Sequence, residues 1–166
     1  RRGVTAVNVP AGVKIIENSA FHTCTGLVSA KLEDGVIIIE NSVFSGCTSL
    51  TGITIPNSIT SIGNSCFSDC ISLASVTLSD GITTIQPSTF SGCISLQSVN
   101  IPDRVTCIDA YAFNGCGSLK SITIPDSVIN INYSAFAGCN NLTISAHAGS
   151  HAEWFANRNS IPFKAI

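Results

Sequence analysis

The sequence predicts a repeat solenoid, mainly β, with short helical or 3-10 turns at its corners. Three observations carry this: a 23-residue periodicity without a gap, strict alternation of apolar and polar residues in the first half of each unit, and a chain that is 45% hydrophobic but 11% charged. The period comes first because a missed repeat miscalls the whole fold. Phe21, Phe44, Phe67, Phe90, Phe113 and Phe136 recur at that spacing. Three residues after each stands Cys24, Cys47, Cys70, Cys93, Cys116 or Cys139, and three further on Leu27, Leu50, Leu73, Leu96, Leu119 or Leu142. Five before each lies Ile16, Ile39, Ile62, Ile85, Ile108 or Ile131, and eight before it Val13, Val36, Ile59, Ile82, Val105 or Val128.

Each unit reads in order as strand, turn, short extended piece and tight corner. In one unit Val99 and Ile101 point inward and Ser98 and Asn100 outward, the period-two signature of a half-buried strand. Ile53/Ile55, Val76/Leu78 and Ile122/Ile124 are the equivalents elsewhere. Pro56, Pro102 and Pro125 end the strand, because proline donates nothing to a ladder. Asp34, Asn57, Asp80, Asp103 and Asp126 follow as turn formers whose side chains bond their own backbone. The second extended piece carries the Val/Ile and Ile columns. The Phe then sits in a stretch such as Asn64 to Cys70, too short for a full helix, so one helical or 3-10 turn is expected. Gly46, Gly92, Gly115 and Gly138 let the chain bend back.

Such a unit cannot bury its own apolar face; stacked on copies of itself, it can. Neighbouring strands then lie about 4.8 Å apart, and six coils make a body roughly 30 Å long. About seven apolar side chains per coil, at about 1.5–3 kcal/mol each, offset the ordering entropy only when neighbours are present.

The unit, with its Leu, Val/Ile, Pro-Asp and Phe-x-x-Cys positions, resembles the leucine-rich repeat of the BspA-like surface proteins of bacteria and some parasitic protozoa. The likeness covers residues 4–142. It implies a right-handed leucine-rich-repeat coil stack, a secreted or cell-surface setting, and adhesion to proteins of a host or of neighbouring cells. The usual Asn or Cys column after the strand is replaced here by Gly12, Gly35, Ser58, Gly81, Arg104 and Ser127.

Residues 1–142 are therefore expected to form the six-coil array, and 143–166 its C-terminal cap. Leu142-Thr143-Ile144 still reads as a strand, and the period puts His147 at its second inward position. Ser150 to Glu153 fits a capping box opening a helix. Trp154, Phe155 and Phe163 are expected to cover the last coil, with Ile161-Pro162-Phe163 a final extended piece. This end resembles the segment that closes BspA-like arrays. At the other end Arg1 and Arg2 precede a unit already in register, so that edge is expected to be open and to favour self-association. The chain starts without Met or a leader, and reads as a mature product or a piece of something longer.

Composition bounds the function. Ten acids against eight bases leave no basic stripe for nucleic acid, and runs such as Val36 to Ile39 are far too short to span a bilayer. Six of the eight Cys occupy one repeat column and none forms a Cys-x2-Cys pair; the Cys66/Cys70 pair comes nearest to a metal knuckle. Equivalent side chains on stacked coils point in parallel, so these are expected to be free core thiols, with Cys107 outside the column and exposed. His147 and His151 stand four apart near Glu153, a spacing that suits a metal on one helical face, but no third ligand supports it. No catalytic residues, metal ligands or cofactor are expected.

The remaining feature is the outward face of the long strands. One row holds Ser29, Gly52, Ser75, Ser98 and Ser121, the next Lys31, Thr54, Thr77, Asn100 and Thr123. Solenoids use such faces to bind partners, although a merely solvated sheet also accommodates Ser and Thr. Ile15, Ile37 and Ile38 sit at outward positions on the second face and predict a small apolar patch. Three functions compete: a non-catalytic interaction or adhesion module, an enzyme with its site in the cap around His147, His151 and Glu153 (or a scaffold attached to one), and a structural spacer or ice-type binder using its Thr column.

Overall fold

The computed structural model describes residues 3–166; Arg1 and Arg2, before the first unit, lie outside the described residues. Each of the first six coils contributes a first strand of two to four residues and then a two-residue one. In chain order these are β1 (Ala6–Val9) and β2 (Ile15–Ile16), β3 (Ser29–Leu32) and β4 (Ile38–Ile39), and β5 (Gly52–Thr54) and β6 (Ser61–Ile62). They continue as β7 (Ser75–Thr77) and β8 (Thr84–Ile85), β9 (Ser98–Val99) and β10 (Cys107–Ile108), and β11 (Ser121–Thr123) and β12 (Asn130–Ile131). A seventh long strand β13 (Thr143–Ala146), the helix α1 (His151–Arg158) and β14 (Phe163–Ala165) follow. All strand pairings among the described residues are parallel, with Ile53 opposite Val76 and Thr54 opposite Thr77, so residues one period apart are neighbours. The result is a parallel β-solenoid of about seven turns.

The columns stack as the period requires. Successive Phe rings from Phe21 to Phe136 lie 5.4, 5.5, 5.5, 5.3 and 5.2 Å apart between centroids, with planes within 15° of parallel. At that separation parallel rings are offset, the arrangement their quadrupoles favour. Leu50, Leu73, Leu96 and Leu119 are fully buried beside them. The column thiols lie between: Cys47, Cys70, Cys93, Cys116 and Cys139 each donate from Sγ to the Phe carbonyl of the preceding coil at 3.0–3.2 Å. All eight cysteines are free, and only Cys107 is not buried.

The corner around each Phe is built differently from a helical turn. Isolated i→i−3 bonds, such as Cys47 N to Phe44 O at 3.0 Å, alternate with bonds to the next coil, such as Phe44 N to Cys66 O at 2.9 Å. Half the N–H groups therefore point along the stack, which a 3-10 turn does not allow. Positive φ on both sides of the Phe makes this geometry. Gly46, Gly92, Gly115 and Gly138 (φ 72–76°) supply one side, with Thr23 and Asp69 in the same slot. Ser19, Ser42, Ser65 and Ser88 (φ 53–58°) and Tyr111 supply the other. Non-glycine residues adopt that region at a cost, and here the bonds between coils hold them in it.

Both ladders lapse once. The long strands pair as β1-β3-β5-β7-β9 and again as β11-β13-β14, the short ones as β2-β4-β6 and β12-β10-β8. On the β7 side of β9, before the first lapse, Asn100 Oδ1 accepts the Leu78 N–H at 3.1 Å, in the place of a main-chain carbonyl. One coil earlier Ile55 N bonds Thr77 O in the ordinary way at 2.9 Å. Near the second, buried Ser79 donates its hydroxyl to Ile59 O at 2.6 Å and accepts Gly81 N at 2.9 Å.

The C-terminal end departs from the period. Thr143 lies opposite Ser121 and Ile144 opposite Ile122, so the chain is one residue short between Leu142 and the strand. The second inward slot consequently goes to buried Ala146, not to His147, which is exposed. In α1 the Ser150 side chain caps the helix by accepting the Glu153 N–H at 3.3 Å. The Glu153 carboxylate accepts from Gly149 N at 2.6 Å instead of from the N-cap residue itself. Phe155 lies over Phe136 at 6.0 Å with its plane tilted by 60°, and Ala152 and Ala156 complete the seal. Trp154 does not take part: it is 54% exposed, on the opposite side of the helix, stacked on His151 at 5.2 Å with Arg158 5.6 Å from its ring. Phe163 is half-buried on β14, which pairs with β13.

Candidate interaction surface

Stacking the long strands in register turns sequence columns into straight rows. Ser29 lies opposite Gly52, Gly52 opposite Ser75, and Ser75 opposite Ser98, while Thr54 lies opposite Thr77. Ser121 and Thr123 stand on β11, across the lapse after β9. Ser29, Lys31, Thr54, Ser75, Thr77, Ser98, Asn100, Ser121 and Thr123 are all exposed, and the outward face is the one expected. The rows run further than the period suggested. Ala6 and Asn8 precede Ser29 and Lys31, and Thr143 and Ser145 follow Ser121 and Thr123. The alternation Thr143-Ile144-Ser145-Ala146 was the signal for the added rung.

Two shallow hollows lie along this face and share Ser75 and Thr77. One is bordered by Lys31, Gly52, Thr54 and Pro56, the other by Ser98, Asn100, Asp103, Ser121, Thr123 and Pro125. The chemistry of the floor is neutral. Lys31, the one cation of the rows, folds back on Glu33 with Nζ 2.7 Å from Oε1. The hydroxyls of Ser29, Ser75, Ser98, Ser121, Thr54, Thr77 and Thr123 make no hydrogen bond among the described residues. Several hydroxyls elsewhere do: Ser58 to Val36 O at 2.7 Å, Ser79 to Ile59 O at 2.6 Å, Thr89 to Gln86 O at 2.7 Å and Thr106 to Thr83 O at 3.3 Å. The face thus offers donors and acceptors at coil spacing with no internal duty.

The alternative clusters come apart. His147 Nδ1 lies 2.7 Å from Asp126 Oδ2, Glu153 holds Gly149 N, and His151 stacks on Trp154. The three side chains serve three different contacts, and no group of three metal-ligating residues occurs among the described residues. Cys47, Cys66, Cys70 and Cys93 are held in their neutral form. Burial pushes Cys47 up to about 11 and Cys93 up to about 12, and raises Cys66 and Cys70 further. A nucleophilic cysteine needs the opposite shift. Cys107 is half-buried, and burial, aided by the Asp109 charge, raises it as well. On the short-strand side Ile15 and Ile37 are exposed and Ile38 is half-buried, which is the small apolar patch anticipated.

A family model described as "BspA type Leucine rich repeat region" matches residues 3–116 in six copies. The chain belongs to the BspA type leucine-rich repeat family. Solved structures agree with this assignment. The T. pallidum Leucine Rich Repeat protein superposes with a TM-score of 0.79 at 28% identity, covering 96% of this chain and 72% of its own. A leucine-rich cell surface protein of Faecalibacterium prausnitzii A2-165 gives 0.59 at 26% identity, covering 90% of this chain. A leucine-rich repeat protein of Eubacterium ventriosum ATCC 27560 gives 0.63 at 28% identity, covering 81% of this chain. The BspA type chain spans 61% of the Faecalibacterium protein and 42% of the Eubacterium protein. No curated protein sequence matches it. No helix among its described residues is long and apolar enough to cross a membrane.

Proposed function

We propose that this chain is a non-catalytic protein-interaction module of a secreted or cell-surface protein, and that it binds its partner through the outward face of the long strands. The partner is a surface protein of a host or of a neighbouring cell. Nucleic acid and membrane insertion play no part. The observation that carries the reading is the contrast in hydroxyl use. Ser58, Ser79, Thr89 and Thr106, off this face, bond carbonyls of their own fold, whereas the seven hydroxyls on it bond nothing among the described residues and are left for something outside. Likeness to a protein described as a leucine-rich cell surface protein supports the setting. Residues 1–142 act as the array and 143–166 as the closure of its C-terminal end.

The test replaces the floor and leaves the core alone. Thr54→Arg, Ser75→Glu, Thr77→Arg and Ser98→Glu together put large charges on four exposed positions. Binding of the labelled chain to host-cell and bacterial-cell surfaces is expected to fall by at least about tenfold, or about 1.4 kcal/mol, with the melting temperature unchanged. Undiminished binding by a folded variant removes this face as the site.

A further inference from the structure

The turn ladder that joins coil to coil has an open end. In the fifth turn Phe113 N donates to Ala135 O at 2.8 Å and Gly115 N to Ala137 O at 2.7 Å. The equivalent donors of the sixth turn are Phe136 and Gly138, and neither N–H has a partner among the described residues. The third donor of this turn, Ser134 N, is turned aside by Asn132 Oδ1 at 3.0 Å. Phe136 and Gly138 line a notch between the sixth turn and the end of α1, whose other walls include Tyr133, Asn140, Leu142, Phe155, Ser160 and Pro162.

We propose that this notch binds an extended polypeptide segment of a partner, which adds one more rung to the turn ladder. The complement of these donors is visible five times in the same molecule, and each time it is a peptide backbone. The paired carbonyls are Val43/Ser45, Cys66/Ser68, Thr89/Ser91, Ala112/Asn114 and Ala135/Ala137. Two donors at alternate residues reach two separate carbonyls at alternate residues. That spacing matches a main chain, not a single anion, which would need the N–H groups to converge. Gly138 is exposed, so its N–H is open to an incoming acceptor, while Phe136 is buried, where an N–H left without an acceptor costs free energy that a docked backbone removes.

Side-chain requirements follow from the same rungs. Four of the five accepting pairs hold only residues no larger than threonine or asparagine, and the fifth adds a valine. The residue between them is always the core Phe. In the notch Phe155 already covers Phe136 at 6.0 Å, so the segment needs a small residue at that point. Tyr133, 79% exposed at the mouth, gives the segment an aromatic wall to lie against. The proposal does not depend on the long-strand face.

The test titrates the whole chain, labelled with ¹⁵N, with the peptide acetyl-Ala-Ser-Gly-Ser-Ala-amide. Saturable shifts at the Phe136 and Gly138 amides are expected, with a dissociation constant of about 1 mM, and hydrogen exchange of both amides should slow on binding. A peptide with Phe in the middle position should bind several-fold more weakly. Asn140→Trp, placed on an exposed residue at the notch, should abolish the shifts while the remaining spectrum stays folded. The proposal is overturned if neither amide shifts, if both are already protected in the free chain, or if the shifts persist in Asn140→Trp.

Discussion

The middle of the stack, around Phe67 and Phe90, and its C-terminal closure are packed by different rules. In the middle each ring has a copy of itself on both sides, with planes 3–15° apart. Each thiol donates to a Phe carbonyl of the preceding coil, and each alternate N–H to a carbonyl of the next. At the closure one tilted ring, Phe155, covers Phe136, and the two N–H groups left over find no acceptor among the described residues. The lesson is that repetition solves packing and hydrogen bonding together, so one column of sequence satisfies both. Ending the repeat separates the two tasks: α1 solves the first and leaves the second partly open.

The largest expected contrast comes from deleting a ring in each region. Phe90→Ala leaves a cavity between two neighbours and should cost about 3–5 kcal/mol, with cooperative loss of the whole stack in urea. Phe155→Ala removes a side chain with one ring neighbour. It should cost about 2–3 kcal/mol and first free the cap, seen as early exchange of β14 amides. Equal, fully cooperative losses would erase the distinction.

Glycines sharpen the comparison at the level of the backbone. A Cβ on Gly63 would lie 2.6 Å from Asn41 N and from the Glu40 carbonyl carbon, against main chain that cannot move aside. Gly63→Ala should cost about 1–3 kcal/mol through overpacking. Gly115 has room, its nearest atom being 3.9 Å away, but its φ of 72° penalises a side chain. Gly115→Ala should cost about 1–2 kcal/mol. Thermal melts order the two, and a milder Gly63→Ala would mean that the coils are not in contact there.

The thiol column predicts a pH effect. Cys47 and Cys93 are raised from 9.0 to about 11 and about 12 by burial, so the folded state holds its protons where the unfolded chain gives them up. Stability is complete below pH 9 and falls as pH rises from there towards about 12. Cys47→Ala/Cys93→Ala should flatten that fall, read by urea midpoints at pH 8 and pH 10.5. The smallest effect belongs to the closure. His147→Ala removes an exposed pair with Asp126 and should change stability by less than about 0.5 kcal/mol.

Much of the architecture was legible because each buried column recurs six times, and a sixfold coincidence at fixed spacing has no other physical origin. The Phe file, the free thiols and the outward Ser/Thr rows follow from it. What escaped has specific causes. Ala146 took the slot assigned to His147 because a residue missing after Leu142 leaves no mark in a chain where the next apolar residue also fits. Trp154 was counted as core on hydrophobicity, yet on a short helix Ala152, Phe155 and Ala156 already fill the buried stripe, and Trp154 falls opposite. The left-handed Ser column was hidden because serine is common in any turn. The open donors of Phe136 and Gly138 appear only when the bonds of the other turns are laid beside them.

Everything placed on this molecule assumes that like residues lie directly over one another, coil upon coil. Double-mutant cycles on the phenylalanine file test that directly. Phe67→Leu combined with Phe90→Leu should show a coupling of about 0.5–1.5 kcal/mol, because those rings are 5.5 Å apart. Phe67→Leu combined with Phe136→Leu, three coils away, should be additive to within about 0.3–0.5 kcal/mol. Equal coupling in the two cycles, or none in either, would contradict the account.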